Sequence, residues 1–581
     1  MFTQTYDPFS NALISTLVAA LPVLVLFYLL VVKRAHVPVA AAGGAITALV
    51  AAVLCFHMSP QMAGLSFVSG ALFGLAPICW TIICAMFLYN ITVETGGFEK
   101  IKNSVAGLSA DHRLQAILIA FAFGAFLEGA AGGGTPVAIC AAMMVGLGFD
   151  PFLAAGLCLI ANTSPVAYGG FGTPLLTLGV VTKIDPEILS KMAGNQLPFL
   201  SCVVPLWLVR SMCNWEETRE VLPAIGVAGG SFAICQFFFA HSKAFPLTDL
   251  AGGLISLVVT AIFLHYWKPK RIWRFEMYPE RTFGSAKEAK AKKEAAKHAS
   301  AHGEVDAEAI KPFVPAGKMA AKEVLWGWAP YMLLCVLMVI VGTQKPVIDK
   351  WAVGPVRAAY KIEIAGLHKQ VQRTPPVVPA GEKPEDAVFN FNWATMPGTS
   401  ILLTALATLG LYRVTGQQLR KVVKRTADQM ALPVPTIVCM LGMAYVTRYA
   451  GLDATMGLAF RHSGALYPFF AAILGWLGVF LTGTDAGSNA LFGSLQFITA
   501  TQLGLSPVLI TVANSTGGVM GKMIDAQSIC VATAATNRLG TEADIFKWVV
   551  WHSVILASIV GLIVLLQAYV WPFTLMVPAM K

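Results

Sequence analysis

Two acidic residues stand where an acid is costly. Glu128 lies in Glu128-Gly129-Ala130-Ala131-Gly132-Gly133-Gly134-Thr135-Pro136, in the middle of an apolar stretch. Asp485 lies in Gly483-Thr484-Asp485-Ala486-Gly487-Ser488-Asn489 and interrupts a second apolar run. A carboxylate at membrane depth has to face protein or water. When burial disfavours its charge, it can alternate between ionised and neutral forms. Asp485 and Glu128 are therefore the candidates for carrying a proton, and two such acids can titrate as a coupled pair. The competing role for each is to accept hydrogen bonds from a broken helix.

The residues around these acids suit recognition of a small polar solute. Asn162, Thr163, Ser488, Asn489, Asn514 and Ser515 offer amides and hydroxyls inside apolar surroundings. The same residue types also join membrane helices to one another without any solute. Lys522 is the candidate cation for a carboxylate, with Arg448 as its rival. Lys522 has a plainer alternative as an interfacial side chain that snorkels. Gly132, Gly133, Gly517 and Gly518 are expected to shape backbone. His241, His265, His462 and His552 are scattered without ligand spacing, and the 11 cysteines form no CxxC or Cys/His cluster. No metal and no cofactor is expected.

The two acid-bearing segments look like copies of one pattern. Leu147-Gly148-Phe149-Asp150-Pro151 follows the first, and Leu503-Gly504-Leu505-Ser506-Pro507 follows the second. Ala161-Asn162-Thr163 then answers to Ala513-Asn514-Ser515, and both copies run on into glycines. The proline-to-Asn distance differs by about one helical turn, so the repeat is imperfect. Glycines and proline cannot continue a regular helix here. Paired interruptions in corresponding halves mark the site of a secondary transporter, because a broken helix leaves backbone N–H and carbonyl groups free at mid-membrane.

The elements that must position these residues are membrane helices. Of the 581 residues, 56% are apolar and only 12% charged, against about 25% charged in a soluble domain. The apolar residues come in helix-length runs, and about 12–14 spans are expected, some of them broken. The fold class is an all-α integral membrane protein. Residues 268–322 concentrate 13 Lys/Arg and 7 Asp/Glu, so the net charge of +10 is mainly a loop property and does not argue for nucleic acid. The chain divides into an N-terminal half (1–267) holding the first broken segment (128–136), a basic cytoplasmic linker (268–323), and a C-terminal half (324–581). The last holds a periplasmic segment (344–396) and the second broken segment (483–490). Lys/Arg bias puts Lys33, Arg34, the linker and the 413–425 cluster in the cytoplasm and the N-terminus outside. The first apolar run is expected to be a retained span. The stretch 62–95 is expected to be one bent span or a tight pair, and 413–430 an interfacial amphipathic helix.

The phrases FLEGAAGGGTPVAI, GLCLIANTSPVAYGGFG, LGWLGVFLTGTDAGSNALFG and LGLSPVLITVANSTGGVMGKMIDAQSI resemble the bacterial L-lactate permease family, which includes glycolate permease. Weaker agreement covers GLHKQVQRTPPVV, FNFNWATMPGTSILLTALAT and the tail. The resemblance implies a proton-coupled importer of short 2-hydroxymonocarboxylates (L-lactate, glycolate, D-lactate), working by alternating access in the bacterial inner membrane. It also implies two pseudo-symmetric inverted-repeat halves. Residue types and spacing alone reach only a secondary transporter of a small polar or anionic solute, not an enzyme. The partners are then the monocarboxylate, H+ and the lipid bilayer, and no partner protein is implied. A sodium-coupled carrier of another small carboxylate is the alternative. The chain departs from the family pattern at Gly133, Thr135, Ala486-Gly487, Asp525 and Arg448, which bears on the substrate more than on the mechanism.

Overall fold

The computed structural model describes residues 1–29, 33, 35, 37–130, 132, 134–275, 320–353, 356–378, 383–538 and 541–580. Most of the expected linker, 276–319, lies outside the described residues, as does Gly133. The chain is a multi-pass, helical membrane protein. Six described helices are long and apolar enough to cross a membrane, and three bent pairs bring that to nine if each pair is one span. Four shorter apolar helices, Ala12–Leu26, Pro38–Leu54, Thr135–Gly146 and Pro397–Leu411, complete the apolar set.

The stretch expected as a bent span or a pair is one helix, Pro60–Glu94. It accommodates Pro77, which donates no backbone N–H, by widening to π geometry over Gly74–Cys79. The amphipathic segment is the helix Gly416–Met430, started by a capping box in which Thr415 and Gln418 bond reciprocally. Its Val422 and Thr426 are buried, and Asn90 of the long helix donates to Thr426 Oγ1 (2.9 Å) and Gln429 Oε1 (2.8 Å).

Both sequence copies fold as two helices joined by a tight turn. Thr135–Gly146 turns at Gly148 (φ 96°) into Pro151–Ala161. Asp485–Gln502 turns at Gly504 (φ 67°) into Pro507–Gly521. Asp150 and Ser506 cap the second helix of each by accepting from Leu153 N and Leu509 N, and Pro151 and Pro507 follow, where a missing N–H costs nothing. The copies then diverge. Pro507–Gly521 runs through its Asn514-Ser515 pair unbroken, whereas the first copy stops at Asn162. The physical reason is Pro165 in the first copy, which has no counterpart in the second, and the Gly-rich run behind it. Gly170, Phe171 and Gly172 are all left-handed (φ 51°, 60°, 73°) before the helix resumes.

Close packing in the second half depends on glycine. A Cβ on Gly475 would lie within the backbone of Asn514, and one on Gly517 would come 2.2 Å from the Ala472 carbonyl. One on Gly521 would come 2.4 Å from the Trp476 carbonyl. The helices Tyr467–Thr482 and Pro507–Gly521 thus meet backbone to backbone along a glycine seam.

Outside the helices, the N-terminal strand Phe2–Thr3 pairs in parallel with Val371–Gln372. Tyr360–Glu363 pairs antiparallel with Val388–Phe391. The first pairing puts the N-terminus on the same side of the molecule as the polar segment that follows the Ala321–Ile348 helix.

Candidate functional site

The second break is short. The Tyr467–Thr482 helix stops at Gly483, whose φ of 73° ends it, and Thr484 caps the next helix by accepting from Gly487 N at 3.0 Å. Asp485 is the first residue of that next helix and is buried. Ser515 donates to Asp485 Oδ2 at 2.5 Å. Asn489 also approaches the Asp485 carboxyl, whose Oδ1 lies where a Cβ on Gly518 would come within 2.6 Å of it. Gly518 therefore gives the carboxylate its room, and Gly517 belongs to the helix seam.

Four more of the sequence candidates join this acid in one network. Asn514 Nδ2 donates to Ser488 Oγ (3.2 Å) and Asn489 Oδ1 (3.0 Å). Ser488 donates to the Gly475 carbonyl at 3.1 Å, and Asn489 Nδ2 donates across the halves to the Pro174 carbonyl at 3.1 Å. Gln496 donates to Asn514 Oδ1 at 3.3 Å and accepts from Tyr467 Oη at 2.8 Å. Lys522 is 3% exposed. Its ammonium donates to the Gly483 carbonyl at 2.7 Å and lies 3.3 Å from Asp525 Oδ2. It thus serves the carbonyl freed by the break, where a cation suits the helix C-terminus.

The first break is built from glycines of positive φ, Gly132 (62°) and Gly134 (86°). Glu128 is buried, two residues before the helix ends at Ala130. Its Oε1 faces Gly169, where a Cβ would come within 2.5 Å, and its Oε2 has no hydrogen-bond partner. Asn162 caps the Pro151–Ala161 helix, and its side chain approaches the Glu128 carboxyl. Thr163 instead turns back to the Ile160 carbonyl at 2.8 Å, the ordinary way a buried hydroxyl is satisfied. Glu128 interacts electrostatically with Lys522 and Asp525, and Asp485 with Lys522. The structure therefore brings the two broken segments to a common centre around Lys522.

Arg448 stands apart from that centre. Its Nη1 donates to the Val181 carbonyl, and its Nη2 lies 3.5 Å from Glu385 Oε2. Glu385 also meets Lys183 Nζ at 2.6 Å and Arg373 Nε at 2.6 Å. Burial alone would raise the Glu385 pKa, but Arg448, Arg373 and Lys183 together hold its carboxyl well below the usual range. Gln4 adds bonds to the Arg448 and Tyr449 carbonyls, both at 2.9 Å. Arg448 is thus part of a clasp that ties the helix ends near 182 and 450 to the extramembrane segment and the N-terminal strand.

Several buried polar residues escape the sequence reading. Gln196 accepts from Thr516 Oγ1 (2.6 Å) and donates to Gln567 Oε1 (2.8 Å), bridging the halves. Asp249 and Asp453 are buried acids. Asp249 carries the same signal that singles out Glu128, an acid in an apolar run beside glycine. Among the described residues no group of three or more His, Cys, Asp or Glu is arranged to hold a metal ion.

Comparison with known proteins places these features in context. The profile of the family described as L-lactate permease matches residues 15–571. Glycolate permease GlcA of Escherichia coli (strain K12) is 43% identical over 574 residues, covering 98% of each chain. The L-lactate permease of the same organism is 39% identical over 589 residues, covering 100% of each. The L-lactate permease of Bacillus subtilis (strain 168) is 39% identical over 592 residues, with 99% of this chain and 100% of that one covered. Among solved structures, MtrF of Neisseria gonorrhoeae aligns with 88% of this chain and 84% of its own at a TM-score of 0.44 and 10% identity.

Proposed function

Because the chain belongs to the L-lactate permease family, we propose that it imports L-lactate, glycolate and D-lactate, each together with a proton, across the bacterial inner membrane. Members of this family are permeases, and this chain is a membrane permease and not an enzyme. The observation that carries the reading is the buried Lys522 ammonium, poised between the two broken segments and their acids.

In this mechanism the substrate carboxylate pairs with Lys522, displacing Asp525 or the Gly483 carbonyl from it. The 2-hydroxyl bonds within the Ser488–Asn489–Asn514 group. The proton resides on Asp485, whose Oδ1 has the room that Gly518 leaves it. Anion and proton together carry no net charge, which lowers the cost of moving the loaded site through the membrane. The two halves act as inverted repeats that rock about the breaks and open the site to each side in turn. The N-terminus and the polar segment 344–396 face outside.

The test is uptake of labelled L-lactate into proteoliposomes in sodium-free buffer, with and without an inward proton gradient. Glycolate and D-lactate serve as competitors. Saturable uptake that the gradient accelerates is expected. Uptake that appears only when sodium is supplied refutes proton symport. No uptake under either condition means that a different solute is carried.

A further inference from the structure

A second buried acid lies beside Glu128 and has no role in the mechanism above. Asp249 sits in the first turn of the helix Thr248–Tyr266 and is 0% exposed. Neither of its carboxylate oxygens has a hydrogen-bond partner. Even the free N–H groups of its own helix start, which normally serve such an acid, do not reach it.

The place of Asp249 is set by the closest approach of two helices. A Cβ on Gly129 would come 2.4 Å from Leu250 N and 3.0 Å from the Asp249 carbonyl carbon. A Cβ on Gly253 would come 2.3 Å from Phe126 N. The backbones of His112–Ala130 and Thr248–Tyr266 therefore touch next to Glu128 and next to Asp249. The two acids interact electrostatically, and the Asn162 side chain approaches the Glu128 carboxyl.

The surroundings offer Asp249 little else. The segment Val166–Tyr168 contributes Tyr168, whose hydroxyl proton is committed to the Ser190 carbonyl at 2.8 Å. The helix Leu222–Ala240 carries only Cys235 as a titratable residue, and the stretches Ala116–Phe123, Gly169–Thr182 and Phe245–Leu247 carry none. Lys522 interacts with Glu128 but is not among the electrostatic neighbours of Asp249. Two interacting buried carboxylates resist holding two charges when no cation stands beside one of them.

We infer that Asp249 is a second proton-binding residue of the transport cycle and shares one proton with Glu128. The transfer breaks an O–H bond on one carboxyl and forms one on the other. The pair keeps a single negative charge throughout, within reach of Lys522 through Glu128. The amide of Asn162, which approaches the Glu128 carboxyl, serves that carboxylate when it has lost the proton.

This inference rests on the proton-symport reading, and one set of measurements separates the two. Asp249→Asn is compared with the unaltered protein for gradient-driven uptake and for the pH profile of substrate exchange. The expected result is loss of gradient-driven uptake, with exchange that persists on a pH profile shifted from that of the unaltered protein. Gradient-driven uptake in Asp249→Asn with the original pH profile overturns the role of Asp249. Absence of gradient-driven uptake in the unaltered protein overturns proton symport itself. If Asp249→Asn does not insert, labelling of the unaltered protein with a hydrophobic carbodiimide decides, because that reagent attacks protonated carboxyls in apolar surroundings. Label on Asp249 that declines as the pH rises supports the inference, and no label on Asp249 at any pH refutes it.

Discussion

Replacing Glu385 by Gln should loosen the whole extramembrane segment. Glu385 has an 11% exposed side chain and faces three cations. Lys183 is 40% exposed, so its pair is screened and contributes little. Arg373 and Arg448 are 11% and 8% exposed. Without Glu385 these two buried guanidiniums lose the carboxylate that pairs with both and keep the weaker pull of Asp453, and breaking such a buried pair typically costs about 3–5 kcal/mol. Opening of the segment should become easier by that amount, which is roughly a hundred- to a few-thousand-fold in the opening equilibrium. Trypsin acting on the detergent-solubilised protein reads this directly, because Lys361, Lys369 and Arg373 lie in the segment. Cleavage of the opened form tracks its population when closing is faster than cutting. Cleavage of Glu385→Gln at the unaltered rate would refute the argument that this carboxylate holds the segment down. A double variant that also removes Arg373 should recover part of the loss, because one stranded charge is gone.

Four further outcomes are expected. The clasp should fail in acid. The folded-state pKa of Glu385 lies below its ordinary 4.5, so its contribution is complete above that value and is lost as the pH falls beneath it. The melting temperature should fall through that range in the unaltered protein and change little in Glu385→Gln. Asp485→Asn should abolish gradient-driven uptake yet leave exchange, and intact proton coupling would remove Asp485 as the proton carrier. Lys522→Met should raise the apparent KM for the carboxylate or abolish binding, whereas unaltered affinity would leave the helix ends as the anion site. Gly517→Ala drives a methyl into the Ala472 backbone and should cost about 1–3 kcal/mol by overpacking, seen as a lower melting temperature in detergent.

Local chemistry made Glu128 and Asp485 legible, since an acid inside an apolar run announces itself. The glycine turns at 148 and 504 and the prolines after them also follow from residue types. What the sequence did not disclose is long-range. The pairing of Phe2–Thr3 with Val371–Gln372 involves too few residues to leave a periodic signal. Arg448 read as a free cation because its partner Glu385 lies in a polar segment whose return toward the helices has no local signature. The polar groups of Asn514 were apparent, but their assignment to Ser488, Asn489 and Gln496 needed the packing of two helices. Asp249 was a different case, because its signal was as plain as that of Glu128.

The glycine seam between Tyr467–Thr482 and Pro507–Gly521 has a mechanical consequence. Two rods in backbone contact at several levels have no layer of side chains to shear. They behave as a single beam, and bending concentrates where that beam is interrupted. That place is Gly483-Thr484, immediately before Asp485. Any tilt of the beam is therefore delivered to this one acid, as strain at the root of a lever is delivered to its fulcrum.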